Sequence, residues 1–302
     1  MPYAYLTVDV FTDAAFGGNP LAVVTDARGL SDARMQQVAA EFGYSETTFL
    51  LPPVDPAHTA HVRIFTPTRE VPFAGHPNVG TGLVVAWQGS CFERPVTDML
   101  TFEEGAGLVP VAIGRDARGR PDRATLTAPQ RLSIGPEAEV AAVAACCSLD
   151  TRQIDVGAHP PTAASVGLAF VIARVADRAA LTAAKPDIAA FTRHAPAMPA
   201  PDILLYTGGD GREADVHARM FAPLDGVIED PATGSANAAL VGLLAQLDPR
   251  SDCALSLRIV QGEDMGRPSL LQASARKVFG TVEEILVGGG AVQMMSGTLH
   301  LD

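Results

Sequence analysis

Short alternating or apolar runs, punctuated by Gly and Pro, dominate this chain, and they predict mostly strands. Residues 3–10 and 21–24 read as opening strands separated by the turn Gly17-Gly18-Asn19-Pro20. Ser31 can cap a helix that runs to about Phe42 and stops at Gly43. Strands follow over 45–51 and 61–66, each closed by Pro, and two more are centred near Leu100 and Val111, with a turn over 115–120. Further on, the pattern predicts a helix over 137–147, one long buried strand over 164–173, and strands over 203–207, 214–221, 255–260 and 270–275. A final stretch over 282–301 is bent at Gly288-Gly289-Gly290. Two segments differ from all of these. Residues 83–87 and 238–245 are apolar all the way round, so the helices predicted over 77–87 and 231–247 are buried on every side.

These two helices belong to a signature that occurs twice. Arg63-Ile64-Phe65-Thr66-Pro67 precedes His76-Pro77-Asn78-Val79-Gly80-Thr81-Gly82, and Arg219-Met220-Phe221-Ala222-Pro223 precedes Asp230-Pro231-Ala232-Thr233-Gly234-Ser235-Ala236. Self-similarity of this kind implies two related half-molecules. The expected architecture is α+β, a curved sheet wrapped around one central helix and built twice. The expected halves are 1–128, completed by the last strand at about 290–302, and 129–289. The polar helix starts are expected to converge on one cleft.

Composition narrows the partners. The 302 residues suffice for two cores, and a net charge of −12 argues against nucleic acid and anionic membranes, which need clustered Lys and Arg. No apolar run reaches membrane-spanning length, and the first residues show no basic segment followed by an apolar stretch. A cytoplasmic protein is expected, with Cys91, Cys146, Cys147 and Cys253 as reduced thiols. No metal-ligand spacing or phosphate loop stands out, so neither metal nor nucleotide is expected as a cofactor.

The candidate chemistry gathers at the repeat. His76 and Asp230 each precede a Pro that suits the first position of a helix. The amides that follow, through Gly80-Thr81 and Gly234-Ser235, would point out of a helix start and favour an anion such as a carboxylate. Either helix alone would be an ordinary cap; it is the duplication that argues for a site. Glu46 sits inside a strand pattern among apolar neighbours. A carboxylate buried there would have a raised pKa suited to proton transfer near neutral pH, whereas one on a solvent face would not, and the segment leaves both open.

In combination these motifs resemble the PhzF-like family of phenazine biosynthesis. The carriers are Phe11 with Gly17-Gly18-Asn19-Pro20, Ser45-Glu46-Thr47-Thr48-Phe49, Phe65-Thr66-Pro67 with Phe73-Ala74-Gly75-His76-Pro77, Glu229 through Ala236, and Gln261-Gly262 with Met265-Gly266-Arg267-Pro268-Ser269. The resemblance covers essentially the whole chain in order. It implies the diaminopimelate-epimerase fold and cofactor-free isomerisation of a small acidic substrate, of which trans-2,3-dihydro-3-hydroxyanthranilate is the family's named example. It further implies Glu46 as the proton-transfer group, His76 and Asp230 as its assistants, and Ser45, Gly75, Gly234 and Ser235 around the substrate, in a homodimer. The related two-thiol racemases place a cysteine at each helix start, and none of the four cysteines here falls there. An epimerase or another isomerase of a different small acid, and a non-catalytic binding protein on the same scaffold, are the alternatives.

Overall fold

The computed structural model describes residues 2–301. The chain divides into two compact units, residues 1–129 with 287–302, and residues 130–286. In order, the first unit carries β1 (Pro2–Val10), β2 (Asn19–Val24), α1 (Asp32–Phe42), β3 (Glu46–Leu51), β4 (Ala60–Phe65), β5 (Glu70–Val71), α2 (Gly75–Gln88), the small hairpin β6 (Ser90–Cys91) and β7 (Arg94–Pro95), β8 (Met99–Glu104), β9 (Gly107–Arg115) and β10 (Pro121–Thr127). There follow β11 (Ser133–Glu137), α3 (Val140–Cys146), β12 (Thr162–Ser165), β13 (Ala169–Arg174), α4 (Arg178–Ala183), α5 (Ile188–His194), β14 (Ile203–Gly208), β15 (Val216–Ala222), β16 (Val227–Asp230), α6 (Gly234–Leu247), β17 (Cys253–Gln261), β18 (Ser269–Val278) and β19 (Thr281–Gly289). The last strand, β20 (Ala291–His300), returns to pair with β1 in the first unit.

The duplication is visible in the strand pairing. The first unit orders its sheet β20-β1-β2-β3-β4-β8-β9-β10, antiparallel except for β2–β3 and β4–β8. The second orders its sheet β11-β12-β13-β14-β15-β17-β18, antiparallel except for β13–β14 and β15–β17. The parallel steps fall at equivalent places. A short strand, β5 or β16, hangs on the equivalent strand, β4 or β15. By the same register Glu46, at the start of β3, holds in the first unit the place that Asp202 holds in the second, just before β14.

Each sheet wraps around its own helix. Gly80 of α2 packs so closely on Val8, Val10 and Leu21 that a Cβ would come within 2.6 Å of Leu21. Gly82, on another side of the helix, lies against Val111, Ile113 and Ala124. Side chains from β1 and β2 and from β9 and β10 thus meet one helix from different directions, as a curved sheet requires. In the second unit α6 packs against β12, β13, β17 and β18. Among the described residues, α2 is buried from Gly75 through Ala86 and α6 from Gly234 through Leu243, so the all-round apolar pattern does mark central helices.

The Arg-φ-Phe element of the repeat is structural. Arg63 forks onto Glu70 of β5 and lies over the Phe65 ring, and Arg219 forks onto Glu229 of β16 and lies over Phe221. Each Arg therefore ties the hanging strand to its sheet. The two differ in burial. Arg219 also donates to the Leu181 and Ala184 carbonyls, and both its side chain and that of Glu229 are nearly closed off from solvent, whereas Glu70 and Asp32 beside Arg63 are open. Arg219→Met is expected to cost about 3–5 kcal/mol, because it leaves the nearly enclosed Glu229 side chain without its Arg219 partner. Arg63→Met is expected to cost only about 0–1 kcal/mol through its exposed pairs. Urea unfolding of the two variants checks the contrast; equal losses would refute it.

Several sequence expectations are corrected. The long strand over 164–173 is two strands, β12 and β13, because Gly167 turns the chain at φ +143° between them. The helix over 137–147 begins only at Val140, since Glu137 still pairs with Thr162. The helices α4 and α5 were not anticipated; Asp177 and Asp187 cap them by accepting from the Ala180 and Ala190 amides. The stretch over 282–301 is two strands joined at Gly290.

The most consequential correction concerns the helix starts. Neither Pro77 nor Pro231 opens its helix. The first helical residues are Gly75 and Gly234, preceded by the extended Ala74 and Thr233. Pro77 is third in α2, where its missing N–H would have had no partner inside the helix. Pro231 stands outside α6 altogether, and Asp230 ends β16. The true alignment pairs Val71-Pro72-Phe73-Ala74-Gly75-His76-Pro77-Asn78 with Asp230-Pro231-Ala232-Thr233-Gly234-Ser235-Ala236-Asn237. His76 therefore corresponds to Ser235, not to Asp230.

Candidate functional site

The N-terminal half-site is built from β2, β3 and the first turn of α2. The strand β3 is fixed against α2 by a buried hydrogen bond between the Thr48 and Thr81 hydroxyls, 2.9 Å. This places Glu46, at the start of that strand, beside His76, the second residue of the helix. Glu46 Oε2 is 3.5 Å from His76 Nδ1, a contact rather than a hydrogen bond. The Glu46 side chain keeps 18% of its surface exposed, while that of His76 keeps 3%. Ser45 and Gly75 adjoin these two residues directly in the chain.

His76 is held as a neutral imidazole. Burial pushes its pKa down to about 3, against the opposing pull of the Pro20 carbonyl. Asn19 Nδ2 donates to Nδ1 at 3.3 Å, which leaves the ring proton on Nε2. Among the described residues Nε2 has no hydrogen-bond partner. The folded pKa lies below the unfolded value of about 6.5. Its contribution to stability is therefore complete above that value and is lost as the pH falls towards about 3.

The C-terminal half-site is a network around the start of α6. The Thr233 hydroxyl donates to Asp230 Oδ2 at 2.6 Å. Gln261, the last residue of β17, donates to the Asp230 carbonyl at 2.8 Å and to Thr233 Oγ1 at 3.1 Å. Its Oε1 accepts from Asn237 Nδ2 at 2.7 Å and from the Thr233 amide at 3.3 Å. Asp230, Thr233 and Ser235 are all buried, and Gly234 and Ser235 open the helix. Gly262 allows the approach: at φ +79°, it lies so near Pro231 that a Cβ would stand 2.6 Å from the Pro231 carbonyl oxygen. The Gln261-Gly262 dipeptide thus grips the Asp230–Thr233 loop.

Sequence reasoning missed the asparagines. Asn78 and Asn237 are both fourth in their helices, and each donates from Nδ2 to the carbonyl of the residue before the helix, Ala74 or Thr233, at 2.9 Å. Their signal was present as Gly-x-x-Asn in both copies. That spacing identifies the true register; the Pro residues misled. Asn19, in the turn of the Gly17-Gly18-Asn19-Pro20 motif, has a further part that the turn pattern does not disclose, its contact with His76.

The cysteines lie elsewhere. Burial pushes the Cys91 and Cys146 thiols up to about 11 and Cys147 higher still. The helix starts hold no cysteine: α2 opens Gly75-His76-Pro77-Asn78 and α6 opens Gly234-Ser235-Ala236-Asn237. Among the described residues no group of three or more His, Cys, Asp or Glu side chains could hold a metal ion, and no helix is long and apolar enough to cross a membrane.

Each unit is thus a sheet wrapped on a central helix with polar side chains at the helix start, Glu46 and His76 in the first and Asp230, Thr233 and Ser235 in the second. Residues 8–297 match the family of phenazine biosynthesis-like proteins. The chain is 36% identical to an uncharacterised isomerase of Mesorhizobium japonicum, over 98% of both chains. It is 33% identical to the trans-2,3-dihydro-3-hydroxyanthranilate isomerase of Pseudomonas aeruginosa, over 99% of this chain and all of that one. A crystal structure of a PhzF-family protein from Bacillus anthracis superposes with a TM-score of 0.87 at 25% identity, covering both chains completely. The chain belongs to the PhzF-like family and is an isomerase with that family's α+β fold.

Proposed function

We propose that this isomerase moves a proton along a small unsaturated cyclic carboxylic acid, with trans-2,3-dihydro-3-hydroxyanthranilate as the substrate to test first. The observation that carries the reading is Glu46 resting against a buried, neutral His76. The Glu46 carboxylate takes a proton from one ring carbon, so that a C–H bond breaks and an O–H bond forms. The electron pair shifts along the conjugated system, and the same carboxyl returns the proton to another carbon. Base and acid are one group, so no external acid, oxidant or reductant enters the balance.

His76 Nε2–H is a neutral donor for charge developing on the substrate. On this reading Asp230, fixed by Thr233, assists or orients, while Ser235 and the amides at Gly75 and Gly234 bind the substrate carboxylate. It requires both helix starts to act on one molecule. The 33% identity to an enzyme named for this reaction supports the choice of substrate.

The test is deuterium uptake from heavy water into trans-2,3-dihydro-3-hydroxyanthranilate, followed by NMR. Exchange at an undiminished rate after EDTA treatment and gel filtration is expected. No exchange with this acid would sink the substrate assignment, and loss of exchange that added metal restores would sink the cofactor-free mechanism.

A further inference from the structure

Glu104 is a half-buried residue whose carboxyl is closed off from solvent, and the proposed reaction does not use it. It ends β8 and is followed by Gly105, just as Gln261 ends β17 and is followed by Gly262. The correspondence extends to the contacts. Gly105 lies against Pro72, and the Ala106 amide donates to the Pro72 carbonyl at 2.9 Å, while Gly262 lies against Pro231. Asn78 is the polar neighbour of the Glu104 carboxyl, as Asn237 is of the Gln261 amide. Both Glu104 oxygens are closed off from solvent, with Asn78 beside them just short of strict hydrogen-bond geometry.

We propose that Glu104 is a positioning residue that holds the first turn of α2 as a neutral carboxylic acid, the N-terminal counterpart of the Gln261 amide. A protonated carboxyl carries one donor and a carbonyl acceptor, which is the complement of an amide; a carboxylate has acceptors only. Gln261 uses both kinds of group to grip its helix start. The carboxyl can do the same only while it keeps its proton.

The surroundings favour that state. Burial pushes Glu104 up to about 8, and Asn78 opposes this only in part. The charged groups nearby are engaged elsewhere. On β8 itself, Glu103 accepts from the Val54 and Asp55 amides and pairs with His58. On β4 and β5, Arg63 and Glu70 pair with each other, and His61 faces Glu103 in the strand register. On β9, Arg115 is taken by Asp98, and on α2 the titratable group is the neutral His76.

The sign of the linkage follows. A carboxyl whose folded pKa exceeds its unfolded value binds more protons when folded. Stability is therefore lost as the pH rises from about 4.5 to about 8, and a negative charge then enters the start of α2 beside the proposed carboxylate site.

The test compares the wild type with Glu104→Gln by NMR from pH 3 to 10, following Glu side-chain carboxyl carbons and the backbone amides of His76 and Asn78. The wild-type amides are expected to shift with a midpoint near that of Glu104, about 8, and those of the Gln variant to stay at their neutral-pH positions. The Gln variant is also expected to melt higher than the wild type by a margin that widens from pH 5 to 9. A Glu104 carboxyl that titrates near 4–5, as an ordinary carboxylate does, would overturn the proposal, and so would identical amide shifts in both proteins. The consequence for turnover rests on the isomerase reading. There kcat/KM is expected to fall about tenfold per pH unit above the transition in the wild type and not in Glu104→Gln. An enzyme inactive on the acid named above would fail that reading alone, since the NMR titration decides the role of Glu104 by itself.

Discussion

Glu46→Gln is expected to abolish proton exchange while leaving substrate binding largely intact. Gln preserves the size and polar contacts of the side chain beside His76 but cannot take up a proton at working pH. General acid–base groups contribute about 10²–10⁴-fold to rate. Here one residue both removes and returns the proton, so the loss should lie at or beyond the upper end of that range. Ser235→Ala should instead raise the substrate Kd, since it removes one hydroxyl and leaves the helix amides in place. Calorimetric titration and deuterium uptake on both variants separate the two effects. Near wild-type exchange by Glu46→Gln would refute the assignment of the base.

The second large effect is expected at a residue that touches no proposed reacting atom. Gly262→Ala would put a methyl 2.4 Å from the Arg267 carbonyl oxygen and 2.6 Å from that of Pro231, at a φ of +79°. The left-handed backbone costs a residue with a Cβ about 1–2 kcal/mol. Overpacking against rigid backbone adds about 1–3 kcal/mol. The sum, about 2–5 kcal/mol, can be relieved only by moving both the Arg267 backbone and the Asp230–Thr233 loop away from Gly262. Stability and exchange rate should therefore fall together. Denaturant unfolding with rate measurement checks this, and a variant of unchanged stability would show that the loop is not held as described.

The candidate residues Glu46, His76, Asp230 and Ser235 could be picked out in the chain because they lie in motifs whose order and combination are specific. Their register could not be read from the prolines. A Pro is accepted at the first helical position, within the first turn, or just outside a helix, because in each case no intrahelical N–H is lost. Pro77 and Pro231 use two of those options and so suggested a false equivalence.

By itself, then, the sequence determined that there are two similar halves, each built of strands around a helix apolar on every side. Those properties reside in local periodicity and in the repeat, which need no knowledge of distant contacts. It also determined the inventory of polar residues near the helix starts. The tertiary structure decided where each helix begins, that Arg63 and Arg219 tie strands rather than bind ligands, and that the run over 164–173 folds back on itself. It also decided that Glu104 and Gln261 occupy equivalent places. Each of these depends on which side chains meet across many residues of chain, such as Gln261 reaching the Asp230 carbonyl or Thr48 reaching Thr81. Burial then assigns protonation states that no local pattern contains: a histidine held neutral and a glutamate pushed towards its acid form, because an ion loses more solvation than a neutral group when water is excluded.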